Sequence, residues 1–347
     1  MIIAIGNIIG KSGGFRTDGN VPVNTIAPVI SGTALIGNTL TSTTGTWTSD
    51  TGVTGYLYQW TRDGVNISGA TSNTYTLVSA DLNTSVICKV AATDTDGTSS
   101  YVNSNSLVVY DSDYKAVLDY ATTQGYTLPS VSQRLKQSIL LSSLKTAGVW
   151  SKLDTFANFA TDGSSNFALI DWKRLSQYTA VNSPTFTTNM GFKGNGTSSY
   201  IDTNFIPSNG VNYQLNNAGR FYFSDQRVAG IFYEGNIDGT NETVNTSTSM
   251  SNRINQGSNQ LNLGVPFDFD GYHAINRTSS TNVELFANTT QYSRTANSFI
   301  RPSVSQFILR RGNSYGNMNF KFYAMGASLV SENTSFVNAY NTYINSL

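Results

Sequence analysis

The sequence predicts a mainly β protein, two sandwiches joined by a short helical connector. Three observations predict it. Short Val/Ile/Thr/Tyr runs alternate with polar residues through 26–110 and again through 161–347, the period of a strand with one buried face. Turn residues punctuate those runs, as in Arg62-Asp63-Gly64 and Asp94-Thr95-Asp96-Gly97, which read as hairpin turns. Helical spacing is confined to stretches inside 111–160 and after Ser331. The chain therefore divides into an N-terminal arm (1–25), a first β-domain (26–110), a helical connector (111–160) and a second β-domain (161–347).

The arm is glycine-rich and carries few core-forming residues after Ile9. Its segment Gly6-Asn7-Ile8-Ile9-Gly10-Lys11-Ser12 imitates a phosphate-binding loop, but three residues separate the glycines where the motif needs four. In the first β-domain, alternate residues of Tyr56-Leu57-Tyr58-Gln59-Trp60 face one side. Leu40, Trp60, Leu77, Leu82 and Cys88 are the expected core. In the connector, Ser112 to Gln124 reads as a helix closed by Gly125. Ser130 and Gln133 then form a capping box for a second helix. Val131, Leu135, Ile139, Leu140 and Leu144 give that helix an apolar face, and Gly148 stops it. That face must bury against the adjoining sandwich or a neighbouring subunit; the sandwich is the favoured surface. In the second β-domain, Tyr200-Ile201-Asp202, Val283 to Ala287 and Phe320 to Gly326 read as strands. A closing helix places Phe336, Tyr340, Tyr343, Ile344 and Leu347 on one face.

Composition excludes several functions. The 347 residues include 21 basic and 21 acidic ones, so the net charge is zero and no basic field exists to hold nucleic acid. Cys88 is the single cysteine, so no intrachain disulfide forms. It is expected to be a buried small hydrophobe. The start MIIAIGNIIG has no basic residue before its apolar run, and no run approaches a membrane span; neither a signal peptide nor membrane insertion is expected.

Some residues resemble known families. Gly45-Thr46-Trp47, Gln59-Trp60, Tyr75-Thr76-Leu77 and Ala80-Asp81-Leu82 resemble the immunoglobulin-like modules of bacterial and phage surface proteins, with Trp60 at the core tryptophan position and Cys88 at a bridge position that lacks its partner. Tyr272-His273-Ala274-Ile275-Asn276-Arg277, Leu285-Phe286-Ala287-Asn288 and the closing helix resemble a concanavalin A-like (laminin-G-like) jelly-roll lectin sandwich, although the Asp-Gly hairpin turn of that family is missing. The stretch from Tyr120 to Phe205 is similar to segments of structural proteins of phages that infect Bacteroidota. These resemblances imply a virion exterior protein, a head or tail fibre or decoration. Its partners would be other virion proteins and host glycan, with no nucleic acid and no membrane. A homo-oligomer is expected, because avidity multiplies weak glycan contacts. An exterior protein without an export signal also fits release by lysis.

The chemistry of an enzyme is sparse. Four glutamates, Glu234, Glu242, Glu284 and Glu332, stand far apart, whereas glycoside hydrolysis needs a carboxylate pair. Asp268 and Asp270 could project from one face, or be solvated at a strand entrance beside Gly271. His273 is the single histidine and reads as a strand residue. One histidine and one cysteine give no zinc set, and Asp94 to Gly97 is better explained as a hairpin than as a calcium loop. No cofactor, no metal and no catalytic residue is expected, and the reading is non-enzymatic. Sugar binding wants flat rings beside Asn, Asp and Arg; Tyr233, Arg310, Arg311, Tyr315, Asp268 and Asp270 are the candidates. Attachment through host glycan is the leading expectation. The alternatives are a purely structural capsid or tail component, a polysaccharide depolymerase and a bacterial surface adhesin.

Overall fold

A computed structural model describes residues 20–225, 232–236, 242–246, 249–256, 261–262 and 270–347. The phosphate-loop-like segment of the arm and Asp268 lie outside them. The chain is mainly β and divides into two compact units, Met1–Val109 and Tyr110–Leu347.

The first unit stacks two antiparallel sheets. One contains Ile30–Ser31, Thr39–Ser42 and Thr74–Thr76. The other contains Leu107–Val108, Ser85–Thr93, Gly55–Arg62 and Val65–Asn66, with Val102–Asn103 also pairing Ser85–Thr93. Strand Gly55–Arg62 alternates because its inward side chains meet the facing sheet. Trp60 is fully buried opposite Cys88 on the next strand, stacks on Tyr75 at 5.6 Å, and donates its Nε1–H to the Ser72 carbonyl at 2.8 Å. Ile30, Leu40, Leu77, Val86, Cys88, Val90 and Val109 complete the core. Leu82 does not belong to it and is only half-buried. Its neighbour Asp81 is buried instead, accepting from Arg62 Nε (2.7 Å), Tyr75 Oη (2.9 Å) and Val78 N (2.7 Å). These donors satisfy the carboxylate, so the position tolerates a charge where periodicity predicted a leucine beside it.

The second unit has three layers. A large sheet orders Thr185–Thr187, Gly191–Lys193, Asn319–Gly326, Ala218–Asp225, Gly271–Arg277, Asn282–Ala287 and Thr290–Thr295, with Leu153–Asn158 also pairing Asn319–Gly326. A smaller sheet orders Thr179–Val181, Tyr200–Asp202, Phe307–Ile308, Phe232–Gly235, Glu242–Thr246, Ser249–Arg253 and Leu261–Asn262. A shared core that includes Ile201, Tyr222, Ile275, Leu285, Ile308, Phe320, Tyr323 and Met325 lies between them. The large sheet also buries its other face. There Phe322 meets Phe336 and Tyr340 of the last helix at 5.4 and 4.2 Å, and Tyr272 meets Phe336 at 5.3 Å. Both faces of the large sheet are thus apolar, and strand Asn319–Gly326 is buried at every position.

Among the described residues four α-helices serve this unit: α1 (Ser112–Thr123), α2 (Val131–Thr146), α3 (Ser165–Ala168) and α4 (Asn333–Ser346). α2 packs on α4 rather than awaiting another subunit. Its buried stripe differs from the apolar face read in the sequence. Gln133, Gln137, Leu140, Leu141 and Leu144 are inside, while Val131 and Ile139 are exposed. The two glutamines can be inside because their amides are bonded. Gln137 accepts from Tyr114 Oη (2.6 Å) and donates to Thr161 Oγ1 and Tyr343 Oη (3.1 Å each). Gln133 bonds Asn189, Thr161 and the Asp162 amide. The capping box is consequently half formed: Ser130 Oγ accepts from Gln133 N at 3.2 Å, but the Gln133 side chain bonds elsewhere. Residues 153–158, read as connector, are a strand of the large sheet.

Candidate functional site

The smaller sheet carries a cluster of rings around one cation. Strand Phe307–Ile308 is followed by Leu309, a buried leucine in the left-handed region (φ 66°). A leucine there is strained by its Cβ, and such strain gathers at functional sites. The flip ends the strand and starts a small hairpin, Arg310–Arg311 paired with Ser314–Tyr315 around Gly312 (φ 53°). Register sets Arg310 opposite Tyr315. Strand Tyr200–Asp202 pairs Phe307–Ile308 from the other side, which brings Tyr200 to the same place.

The Arg310 guanidinium lies over three rings: Tyr200 at 4.5 Å, Phe307 at 4.8 Å and Tyr315 at 5.7 Å. Tyr200 packs on Phe307 at 5.3 Å and faces Tyr315 at 6.2 Å. Each cation–ring contact contributes about 0.5–2 kcal/mol. Arg310 Nε donates to the Gly312 carbonyl at 2.8 Å. Among the described residues its two terminal nitrogens meet no acceptor and no carboxylate lies within ion-pair distance. Arg310, Tyr200 and Tyr315 are half-buried and Phe307 is buried, so the cation is held in a fixed plane yet reachable.

A polar loop is stitched to this hairpin. Gly196 N donates to the Gly316 carbonyl (3.1 Å), and Gly316 N to the Leu309 carbonyl (2.9 Å). Gly194 approaches so closely that a Cβ there would sit 2.2 Å from the Gly316 oxygen. Asn195 Oδ1 accepts from the amides of Thr197, Ser198 and Ser199 at 2.9–3.0 Å, folding the loop on itself. Asn195 and Thr197 are exposed. Rings, a planar cation and short polar side chains thus share one rim, a combination suited to sugar rings and hydroxyls.

The structure brings Arg310, Arg311 and Tyr315 together on one hairpin. Tyr233 lies on strand Phe232–Gly235, which pairs Phe307–Ile308 and runs beside that hairpin. Asp270 is elsewhere, exposed before a large-sheet strand. His273 is buried in that strand and stacks on Tyr222 at 5.1 Å. Sequence reading missed Tyr200 and Phe307. Tyr200 had a signal, a ring at the start of a short strand after the Gly194-Asn195-Gly196 turn, whereas nothing local marked Phe307.

A second polar cluster sits between the sheets. Glu234 is fully buried, paired with an equally buried Arg220, and accepts from Tyr323 Oη and from Gln306 Nε2 (2.8 Å). Arg220 also donates to the Arg253 carbonyl at 2.7 Å. Burial pulls Arg220 down, but the Glu234 carboxylate and nearby phenols outweigh it and leave it above its ordinary value. Burial and the same carboxylate hold Tyr323 well above the ordinary phenol range, so it donates its proton in a hydrogen bond. No part of this pair reaches solvent, and its role is to join the two sheets.

No protein-family model and no curated protein matches the sequence. Solved structures do. The chain is similar to a mutant of Trypanosoma rangeli sialidase displaying trans-sialidase activity (10% identity, TM-score 0.42), covering 75% of this chain and 43% of that one. It is similar to the binding domain of botulinum neurotoxin DC in complex with SialylT (10%, 0.39), covering 56% and 51%. It is also similar to the botulinum neurotoxin serotype D binding domain (6%, 0.38), covering 55% and 52%. The chain spans about half the length of these proteins. The expectation of a non-enzyme is corrected here, because sialidase and trans-sialidase structures stand among those it is similar to. Such distant likeness assigns this chain no reaction.

Proposed function

We propose that the second unit is a glycan-binding module, displayed on the exterior of a phage particle where attachment to host saccharides is needed. The observation that carries this reading is the rim of Tyr200, Phe307, Arg310 and Tyr315 beside the exposed Asn195–Thr197 loop. Sugar rings present apolar C–H faces that stack on aromatics, and hydroxyls that bond planar polar groups. Low surface charge and the resemblance to phage structural proteins support the exterior placement. Other virion proteins would anchor the chain, and assembly into an oligomer would raise avidity. A glycan array probed with the full chain tests the binding. Wild type should bind a defined subset of saccharides, and Tyr200→Ala should weaken that binding by roughly 5–150-fold, the worth of one base-sized ring stack. Absence of binding across microbial and host glycans would remove the proposal.

A further inference from the structure

We infer that Arg310 recognises a carboxylate, so that the ligand is an acidic saccharide. The inference rests on the reading of this rim as a glycan site and names its ligand class. Arg310 is the rim's cation, and its surroundings leave it unmatched. Nε is taken by the Gly312 carbonyl at 2.8 Å, and three rings hold the plane of the guanidinium. Among the described residues no Asp or Glu pairs with it, whereas Arg62, Arg174 and Arg220 each pair with a carboxylate within 2.7 Å. A half-buried cation on an apolar floor has given up part of its water and gained no internal anion. Its two terminal nitrogens remain, and that pair of parallel donors matches the two oxygens of a carboxylate. A neutral hydroxyl would fill one donor and gain no charge assistance. Ring stacking pre-orders the fork, so little side-chain freedom is lost on binding.

Matched ligands test this with the wild-type chain. Affinities for sialyllactose and lactose, and for a glucuronic acid-terminated disaccharide and its glucose-terminated counterpart, are measured by calorimetry. At least one acidic ligand should bind about tenfold or more tightly than its neutral match, as a charge-assisted bidentate contact requires. Arg310→Gln should erase that preference, bringing the acidic ligand's affinity to within about twofold of its neutral match in the same variant. Arg310→Lys, which keeps the charge without the fork, should retain only part of it. Circular dichroism confirms that each variant is folded, and the wild-type comparison stands even where a variant is not. Equal binding of both members of each pair overturns the acidic-sugar inference and leaves glycan binding intact. Binding of neither overturns the glycan reading itself. A sulfated saccharide binding as tightly as the carboxylated one overturns carboxylate selectivity.

Discussion

Glu234 shows how one residue can be decided by its partners. It is one of four glutamates in a chain of 347 residues, and its local sequence, Phe232–Gly235, is that of an ordinary strand. In the structure it is enclosed with Arg220, Tyr323 and Gln306. Two charges taken out of water offset one another only while both are present. Glu234→Gln should therefore destabilise the fold by about 3–5 kcal/mol, because Arg220 would be left charged and enclosed. Replacing both members with apolar residues of similar volume should recover most of that loss. Urea denaturation of the single and double variants reads both values, and a single variant within about 1 kcal/mol of wild type would refute the assignment. Leu309 is the corresponding case for the backbone. Its positive φ ends a core strand and delivers Arg310 to the rim, with the leucine side chain kept in the core.

Individual elements show why edges behave differently from interiors. Strand Asn282–Ala287 lies between Gly271–Arg277 and the edge strand Thr290–Thr295. Its Glu284 is nearly buried and accepts from Ser293, from Gln291 (3.0 Å) and from Asn282 (2.7 Å). Burial pushes the carboxyl up, and those three donors together outweigh it, leaving Glu284 below the ordinary carboxylate range. A lowered folded value means the bonds stabilise the protein above the unfolded value, about 4.3, and are lost as pH falls through the folded one. Glu284→Gln should thus lower stability at pH 7 and flatten its decline below about pH 4.3. Denaturation midpoints at pH 7, 5 and 3 check this, and an unchanged acid slope would exclude Glu284 as a source. α4 is stapled more apolarly. Phe336 and Tyr340 pack on Phe322, and Tyr340 Oη reaches Asn158 and the Lys321 carbonyl at 2.9 Å each.

At the scale of the whole molecule, the two units each own a core. The first centres on Trp60 and Cys88, and the second lies between the large and the smaller sheet. Units with separate cores unfold separately unless an interface couples them. The fragment 110–347 should accordingly unfold as a cooperative unit of its own. Calorimetry of fragment and full chain would reveal this, and a fragment without a transition would contradict it. The same unit holds the proposed glycan rim, so the fragment offers a direct probe of where binding resides.

Alternation of apolar and polar residues determined the β class, and glycine and aspartate positions marked turns such as Asp63-Gly64, both of positive φ. Trp60 and Cys88 were legible as members of one core through the immunoglobulin-like resemblance, and the fold sets them opposite each other on paired strands. Arg310, Arg311 and Tyr315 were legible only singly, as sugar-binding candidates, and the hairpin that sets Arg310 opposite Tyr315 came from the fold. Only the tertiary structure decided that residues 153–158 join a sheet with Asn319–Gly326, that α2 buries glutamines in place of Val131 and Ile139, and that Tyr200 meets Arg310 across 110 positions. Periodicity records which face a residue presents. What lies opposite that face depends on pairings between distant strands, whose partners are selected by the summed packing of the whole core.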